Sequence, residues 1–312
     1  MNHDRLAIEV DSLTKRYGQL LAVDHISFSV RKGECFGFLG PNGAGKTTTV
    51  RVLTGVMCAD GGNASISGYP AGSLRAKQVT GVVPEMANAY GDLSAWDNLM
   101  LVADLYGLRR HNVREKAASL LQDMGLIKRK GDPAKTYSKG MKQRLILCMA
   151  LVSDPEVLFL DEPTSGLDVQ SARLIRDMLR HLNQQGKTIF LTTHDMDEAN
   201  ELCDRVAIIK EGKLVAVDAP ERLRMITSGV HSVEVSFDGA VAPGDMDKLP
   251  GVTAVSKAGD KFRLYTADPG QLVSTLVNYS GSRNIKIVTL NTRAPSLEDA
   301  FVALTEKEAQ NA

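Results

Sequence analysis

An α/β fold with a smaller α+β domain at its C-terminal end is what the sequence predicts, and three observations predict it. Residues Gly40, Pro41, Asn42, Gly43, Ala44, Gly45, Lys46, Thr47 and Thr48 fit the pattern G-x-x-x-x-G-K-[ST] between an apolar run, Cys35–Leu39, and a helix start. A second apolar run, Val157–Leu160, ends on the adjacent acids Asp161 and Glu162. The tail, residues 230–306, alternates in the order β-α-β-β-α-β of a ferredoxin-like sandwich.

Size and charge narrow the function classes. With 312 residues the chain suits one or two domains, and the pattern change near residue 220 gives domains 1–220 and 221–312. Lys+Arg and Asp+Glu both number 37, so no global field points to nucleic acid or an anionic membrane surface. The longest apolar run, Leu145–Val152, has eight residues, against roughly 20 needed to cross a bilayer. Residues 1–5 lead straight into a strand at Leu6–Val10, so no signal peptide is expected. Cys35, Cys58, Cys148 and Cys203 lie far apart, as reduced core thiols of a cytoplasmic protein would.

Taken in order, Leu6–Val10, Leu21–Val23 and Ile26–Val30 read as strands, with Tyr17 in the turn after Leu13–Arg16. An aromatic there either packs half-buried or stacks on a purine. The glycines at 40, 43 and 45 let backbone N–H groups curl round a phosphate, and the helix N-terminus adds a favourable dipole. Lys46 would reach the β- and γ-phosphates, and the Thr47 hydroxyl would ligate Mg²⁺. A turn at Ala59–Gly62 leads to a strand at Ala64–Ile66, and Val79–Val83 is another strand running into Pro84 and Glu85. From Met86 to about Leu126 the period turns helical, with Leu99, Val102, Ala103 and Tyr106 at three- and four-residue steps. Trp96 in this insertion is either core or an exposed docking residue, and Lys128–Lys130 read as solvated surface. Ser138 caps an apolar helix running to Val152, and with Gly140 at the positive helix end it doubles as an anion site. Asp161 stands where a Mg²⁺-orienting carboxylate belongs, and Glu162 is placed to take a proton from an attacking water. A helix over Gln170–Gln185 and a strand over Thr188–Thr192 bring His194 to the same sheet edge. Ala207–Lys210 and Lys213–Val217 close the first domain as a hairpin.

From about residue 5 to residue 220 these stretches, several motifs in the right order, resemble the ATP-binding subunit of an ABC transporter. The resemblance implies an α/β phosphate-loop domain with an antiparallel β subdomain and a helical subdomain, and it implies ATP and Mg²⁺. It assigns Tyr17 to adenine stacking, Gly40–Thr48 to the phosphates, and Thr47, Asp161 and Glu85 to Mg²⁺. Lys46 stabilises charge, Glu162 becomes the catalytic base and His194 a γ-phosphate contact. Two copies would meet head to tail, Ser138 and Gly140 of one capping the ATP of the other, with Asp168 at the interface. Two departures stand out. Glu85 replaces the usual Gln, so it ligates Mg²⁺ through oxygen but adds charge and donates no hydrogen bond. The capping motif reads Tyr137-Ser-Lys-Gly-Met141 rather than Leu-Ser-Gly-Gly-Gln, and Lys139 would reach a phosphate or face solvent.

This capping motif and the tail are similar to the exporter branch whose membrane subunit is of the ABC-2 type, such as daunorubicin-resistance ATPases. That implies an ATP-hydrolysing subunit driving an ABC-2-type exporter, peripheral on the cytoplasmic membrane face through a permease. The alternative is a soluble ABC ATPase acting on nucleic acid or the ribosome; the balanced charge opposes it, and no nucleic-acid partner is expected. A non-hydrolysing assembly factor is opposed by Glu162 and His194. In the tail, strands are expected at His231–Phe237, Val252–Ser256, Lys261–Thr266 and Asn284–Leu290, with helices at Asp245–Leu249 and Pro269–Tyr279 and a last one capped by Ser296. Over residues 221–312, 10 Lys/Arg nearly cancel 11 Asp/Glu, and there is no catalytic constellation, as suits an accessory domain for dimerisation, regulation or docking.

Overall fold

The computed structural model describes residues 6–86, 89–226, 231–293, 296–301 and 304. The chain divides into two compact units, 1–220 and 221–312. In the first, the elements run β1 (Leu6–Tyr17), β2 (Leu20–Arg31), β3 (Cys35–Leu39), α1 (Lys46–Leu53), β4 (Gly61–Ile66), β5 (Tyr69–Pro70), α2 (Leu74–Gln78) and β6 (Thr80–Val83). There follow α3 (Ala95–Leu105), α4 (Arg110–Asp123), α5 (Lys139–Leu151), β7 (Val157–Asp161), α6 (Val169–Gln184), β8 (Thr188–Thr193), α7 (Met196–Leu202), β9 (Arg205–Lys210) and β10 (Lys213–Asp218).

Runs that are apolar throughout make strands buried on both faces, and such strands suit the middle of a parallel sheet. β3, β7 and β8 are of this kind, every residue buried. They lie side by side in a six-stranded sheet of order β10-β9-β3-β8-β7-β6, parallel except for β10. β1 and β2 alternate more, and they form a separate antiparallel sheet of order β2-β1-β4-β5. Phe28 of β2 joins the two sheets. Its ring and those of Phe36, Phe38 and Phe159 all surround Phe190, with centroids 5.3 to 6.0 Å away.

Several expectations need correction. Tyr17 is not in a turn: β1 runs past Val10 and ends on Tyr17, continuing through register shifts with Ser12 at φ 50, so polar residues sit at bulges in one long strand. Leu21–Val23 and Ile26–Val30 likewise belong to one strand, β2, with His25 at φ 49. Between Met86 and Leu126 the helices are α3 and α4 only; residues 87 and 88 lie outside the described residues. Trp96 is half-buried, neither core nor open surface; Lys128–Lys130 are exposed as expected, and Lys130 also places Nζ 5.1 Å from the Trp96 ring centroid. Cys58 is exposed, unlike the other three thiols.

The second unit begins within α8 (Pro220–Ile226) and runs β11 (His231–Phe237), α9 (Pro243–Met246), β12 (Ala254–Ala258), β13 (Lys261–Thr266), α10 (Pro269–Arg283) and β14 (Ile287–Arg293). Its antiparallel sheet has the order β12-β13-β11-β14, which is the ferredoxin-like order. Val233, Val235, Phe262 and Leu264 meet Leu272 and Leu276 of α10 in its core. Ser296 and Asp299 cap the start of a last helix reciprocally, at 2.8 and 3.1 Å. The end of that helix, like residues 1–5, lies outside the described residues. Among those described, no helix is long and apolar enough to cross a membrane.

Phe190 is the ring that both sheets share, so Phe190→Ala should cost about 3–5 kcal/mol by urea denaturation. A loss below about 1 kcal/mol would contradict this view of the core.

Candidate functional site

The chain turns sharply after β3 because glycine is required there. A Cβ at Gly40 would lie 2.4 Å from the Ile209 carbonyl oxygen. Gly45, the N-cap of α1, has φ 108, and a Cβ there would lie 2.4 Å from the Ala22 carbonyl oxygen. The first N–H groups of α1 have no partner within the helix. Lys46, Thr47 and Thr48 at this end line a cleft of about 400 Å³, within the range of ligand sites. Pro41, Asn42, Gly43 and Gly45 form the same wall, and Tyr17, Glu85 and Glu162 close the others. Tyr17 is 44% exposed, with its hydroxyl 3.1 Å from the Met57 sulfur. Gly40 and Ala44 do not line it: Gly40 gives its carbonyl to Lys46, and Ala44 is buried.

Three parallel neighbours, β3, β8 and β7, deliver the remaining groups. Asp161 closes β7 and is only 2% exposed. Thr192 of β8 donates its hydroxyl to Asp161 Oδ1 at 2.5 Å and accepts the Glu162 N–H at 3.1 Å. Glu162 adopts φ 52, a conformation unusual for a non-glycine residue, and these hydrogen bonds hold it. Its carboxylate is buried between two partners. His194 Nδ1 donates to Oε2 at 2.8 Å, and Lys46 Nζ stands 3.3 Å from Oε1. The same ammonium donates to the carbonyls of Gly40 at 2.7 Å and Pro41 at 3.4 Å. Thus Lys46, Thr47, Glu85, Glu162, His194, Tyr17 and the loop come together, with Asp161 just behind.

Ser138, Gly140 and Asp168 form a second group that does not line this cleft. Ser138 Oγ accepts the Met141 N–H at 3.3 Å and so caps α5. Gly140 leaves no room for a side chain, since a Cβ would lie 2.3 Å from Ser171 Oγ and 3.2 Å from Asp168 Oδ2. Asp168 caps α6, and the Ser171 N–H at 2.8 Å holds its carboxyl below the usual carboxylate range. Lys139 is exposed, and its ammonium donates to the Ser165 carbonyl at 3.0 Å, in the loop that follows Glu162. A neighbouring cleft of about 470 Å³ lies between Lys139 and Lys142 on one side and Glu85, Met86 and Glu162 on the other.

Sequence reasoning missed Thr192. The available signal was a polar pair, Thr192 and Thr193, at the end of an otherwise apolar strand. No group of three or more His, Cys, Asp or Glu among the described residues could hold a metal. The donors on hand near the loop are hard oxygens, the Thr47 hydroxyl and the carboxylates of Asp161 and Glu85, which suit Mg²⁺ shared with substrate phosphates.

A phosphate loop on one strand, a histidine on the next and paired acids on the one beyond define an α/β domain that binds and cleaves a nucleoside triphosphate. Residues 23–165 match the sequence pattern of the ABC transporter family. The chain is 39% identical over 306 residues to the Nod factor export ATP-binding protein I of Ralstonia nicotianae, covering 97% of this chain and 95% of that one. It is 35% identical over 305 residues to a linearmycin resistance ATP-binding protein of Bacillus subtilis, covering 96% and 98%. A solved ATP-binding subunit of an ABC transporter, 28% identical, superposes with a TM-score of 0.66, covering 70% of this chain and 92% of its own. The chain belongs to the ABC transporter family, as an ATP-binding subunit that hydrolyses ATP to power transport.

Gly45→Ala forces a side chain into a φ of 108 and against Ala22, and should cost on the order of 1–3 kcal/mol. Thermal unfolding without nucleotide checks this separately from binding. An unshifted melting temperature would contradict the loop geometry.

Proposed function

We propose that this chain is the ATPase subunit of an ABC-2-type exporter, acting at the cytoplasmic membrane face through a permease and working as a head-to-tail pair. Both relatives, one named for Nod factor export and one for linearmycin resistance, match over nearly their whole length, so the exporter reading takes in both units. The observation that carries the chemistry is the buried Glu162 carboxylate between Lys46 and His194.

In this reading ATP lies along Gly40–Thr48, with its adenine against Tyr17. Lys46 exchanges Glu162 for the β- and γ-phosphate oxygens, a stronger acceptor set for an ammonium. Thr47, Asp161 and Glu85 would hold Mg²⁺, which supplies charge compensation on those oxygens. Released from Lys46, Glu162 Oε1 accepts a proton from the water whose oxygen bonds the γ-phosphorus. The bond from that phosphorus to the bridging oxygen then breaks, leaving ADP and phosphate. His194 keeps Oε2 in place, and a hydrogen bond from its Nε2 to the γ-phosphate requires the ring to carry both protons. Ser138 and Gly140 of one copy cap the ATP of the other, with Asp168 at the interface; the α5 N-terminus supports this as an anion site. Residues 221–312, without catalytic groups, serve as an accessory domain for dimerisation, regulation or docking.

Glu162→Gln should lower turnover by roughly 10²–10⁴ while ATP still binds. Unchanged phosphate release would remove the base assignment. Lys46→Ala should abolish tight nucleotide binding in a direct titration, and wild-type affinity would contradict the loop assignment. Co-purification with a membrane permease rather than RNA or DNA tests the exporter reading.

A further inference from the structure

α7 starts two residues after His194, and its third residue, Glu198, is a carboxyl group only 1% exposed. Thr164 donates its hydroxyl to Glu198 Oε1 at 2.7 Å, while Oε2 is shut away from solvent with no hydrogen-bond partner. The Thr193 side chain faces the same carboxyl. Thr164 lies two residues after Glu162, and Thr193 lies one before His194. Glu198 therefore touches both segments whose ends meet in the Glu162–His194 hydrogen bond.

We propose that Glu198 is a positioning residue that ties the Glu162 loop to the His194 turn and keeps that 2.8 Å contact in register. The inference rests on Glu162 being the base and His194 its partner. Burial pushes the Glu198 carboxyl up from its usual value while the hydroxyls of Thr164 and Thr193 hold it down; Asp195 at the start of α7 adds to the rise, and Arg176 of α6, engaged by Glu201 at 3.0 Å, opposes it. Without the Thr164 hydroxyl both buried carboxyl oxygens would lack a hydrogen-bond partner, so this contact fixes the Glu162 loop against α7.

The test is steady-state ATP hydrolysis by the full chain carrying Glu198→Gln, Glu198→Ala or Thr164→Val, with melting temperatures recorded. The isostere Glu198→Gln, which keeps an oxygen to accept from Thr164, should keep kcat within about twofold of wild type. Glu198→Ala and Thr164→Val should lower kcat about tenfold or more with KM for ATP unchanged. Two results would each overturn the proposal: an unaffected kcat in Thr164→Val, or a Glu198→Gln variant as damaged as Glu198→Ala. Thr164→Val covers the case in which Glu198→Ala does not fold. Glu162→Gln, assayed in parallel, separates failure of this brace from failure of the base assignment.

Discussion

Glu162 is a carboxylate taken out of water, and its burial is tolerable because an ammonium and an imidazole stand on either side. A buried charge without partners would cost several kcal/mol, so Lys46, Glu162 and His194 constrain one another's positions. Lys46 comes from the phosphate loop, Glu162 follows β7 and His194 follows β8. The trio can form only if these three segments end at one level of the sheet. Much of the domain's architecture serves that requirement.

The parallel register achieves it. β3 pairs with β8 from Cys35 opposite Ile189 to Leu39 opposite Thr193, and β8 pairs with β7 up to Asp161 opposite Thr192. The phenylalanine cluster fixes these strands from below through Phe36, Phe159 and Phe190, with Phe28 pinning the antiparallel sheet to them. Thr192 then converts strand register into side-chain placement, touching Asp161 with its hydroxyl and Glu162 through its hydroxyl and carbonyl. Core packing and catalytic geometry are in this sense one construction.

What was legible in the sequence was what is local. The phosphate loop, the acids after an apolar run and the β-α-β-β-α-β tail are each written in contiguous residues, and the structure has elements at all of them. Bulges were not legible: the expected strand stops at Val10, before polar Asp11 and Ser12, yet pairing with β2 and β4 carries the strand on. Helices α2 and α7 span five and seven residues, too short for a period to declare itself. The roles of Thr192, Glu198 and Lys139 depend on partners some thirty residues away in sequence, at Asp161, Thr164 and Ser165, and no local pattern announces such contacts.

If Lys46 is held by Glu162 until phosphate replaces it, then the Glu162 charge competes with ATP for the same ammonium. The direct measurement is the ATP dissociation constant of Glu162→Gln beside that of wild type, by calorimetric titration under conditions that prevent hydrolysis. The account predicts tighter binding in the variant, by about threefold or more, because the competing charge is gone. Weaker binding in Glu162→Gln would mean that Glu162 helps to hold the nucleotide rather than standing in its place, and would contradict the account.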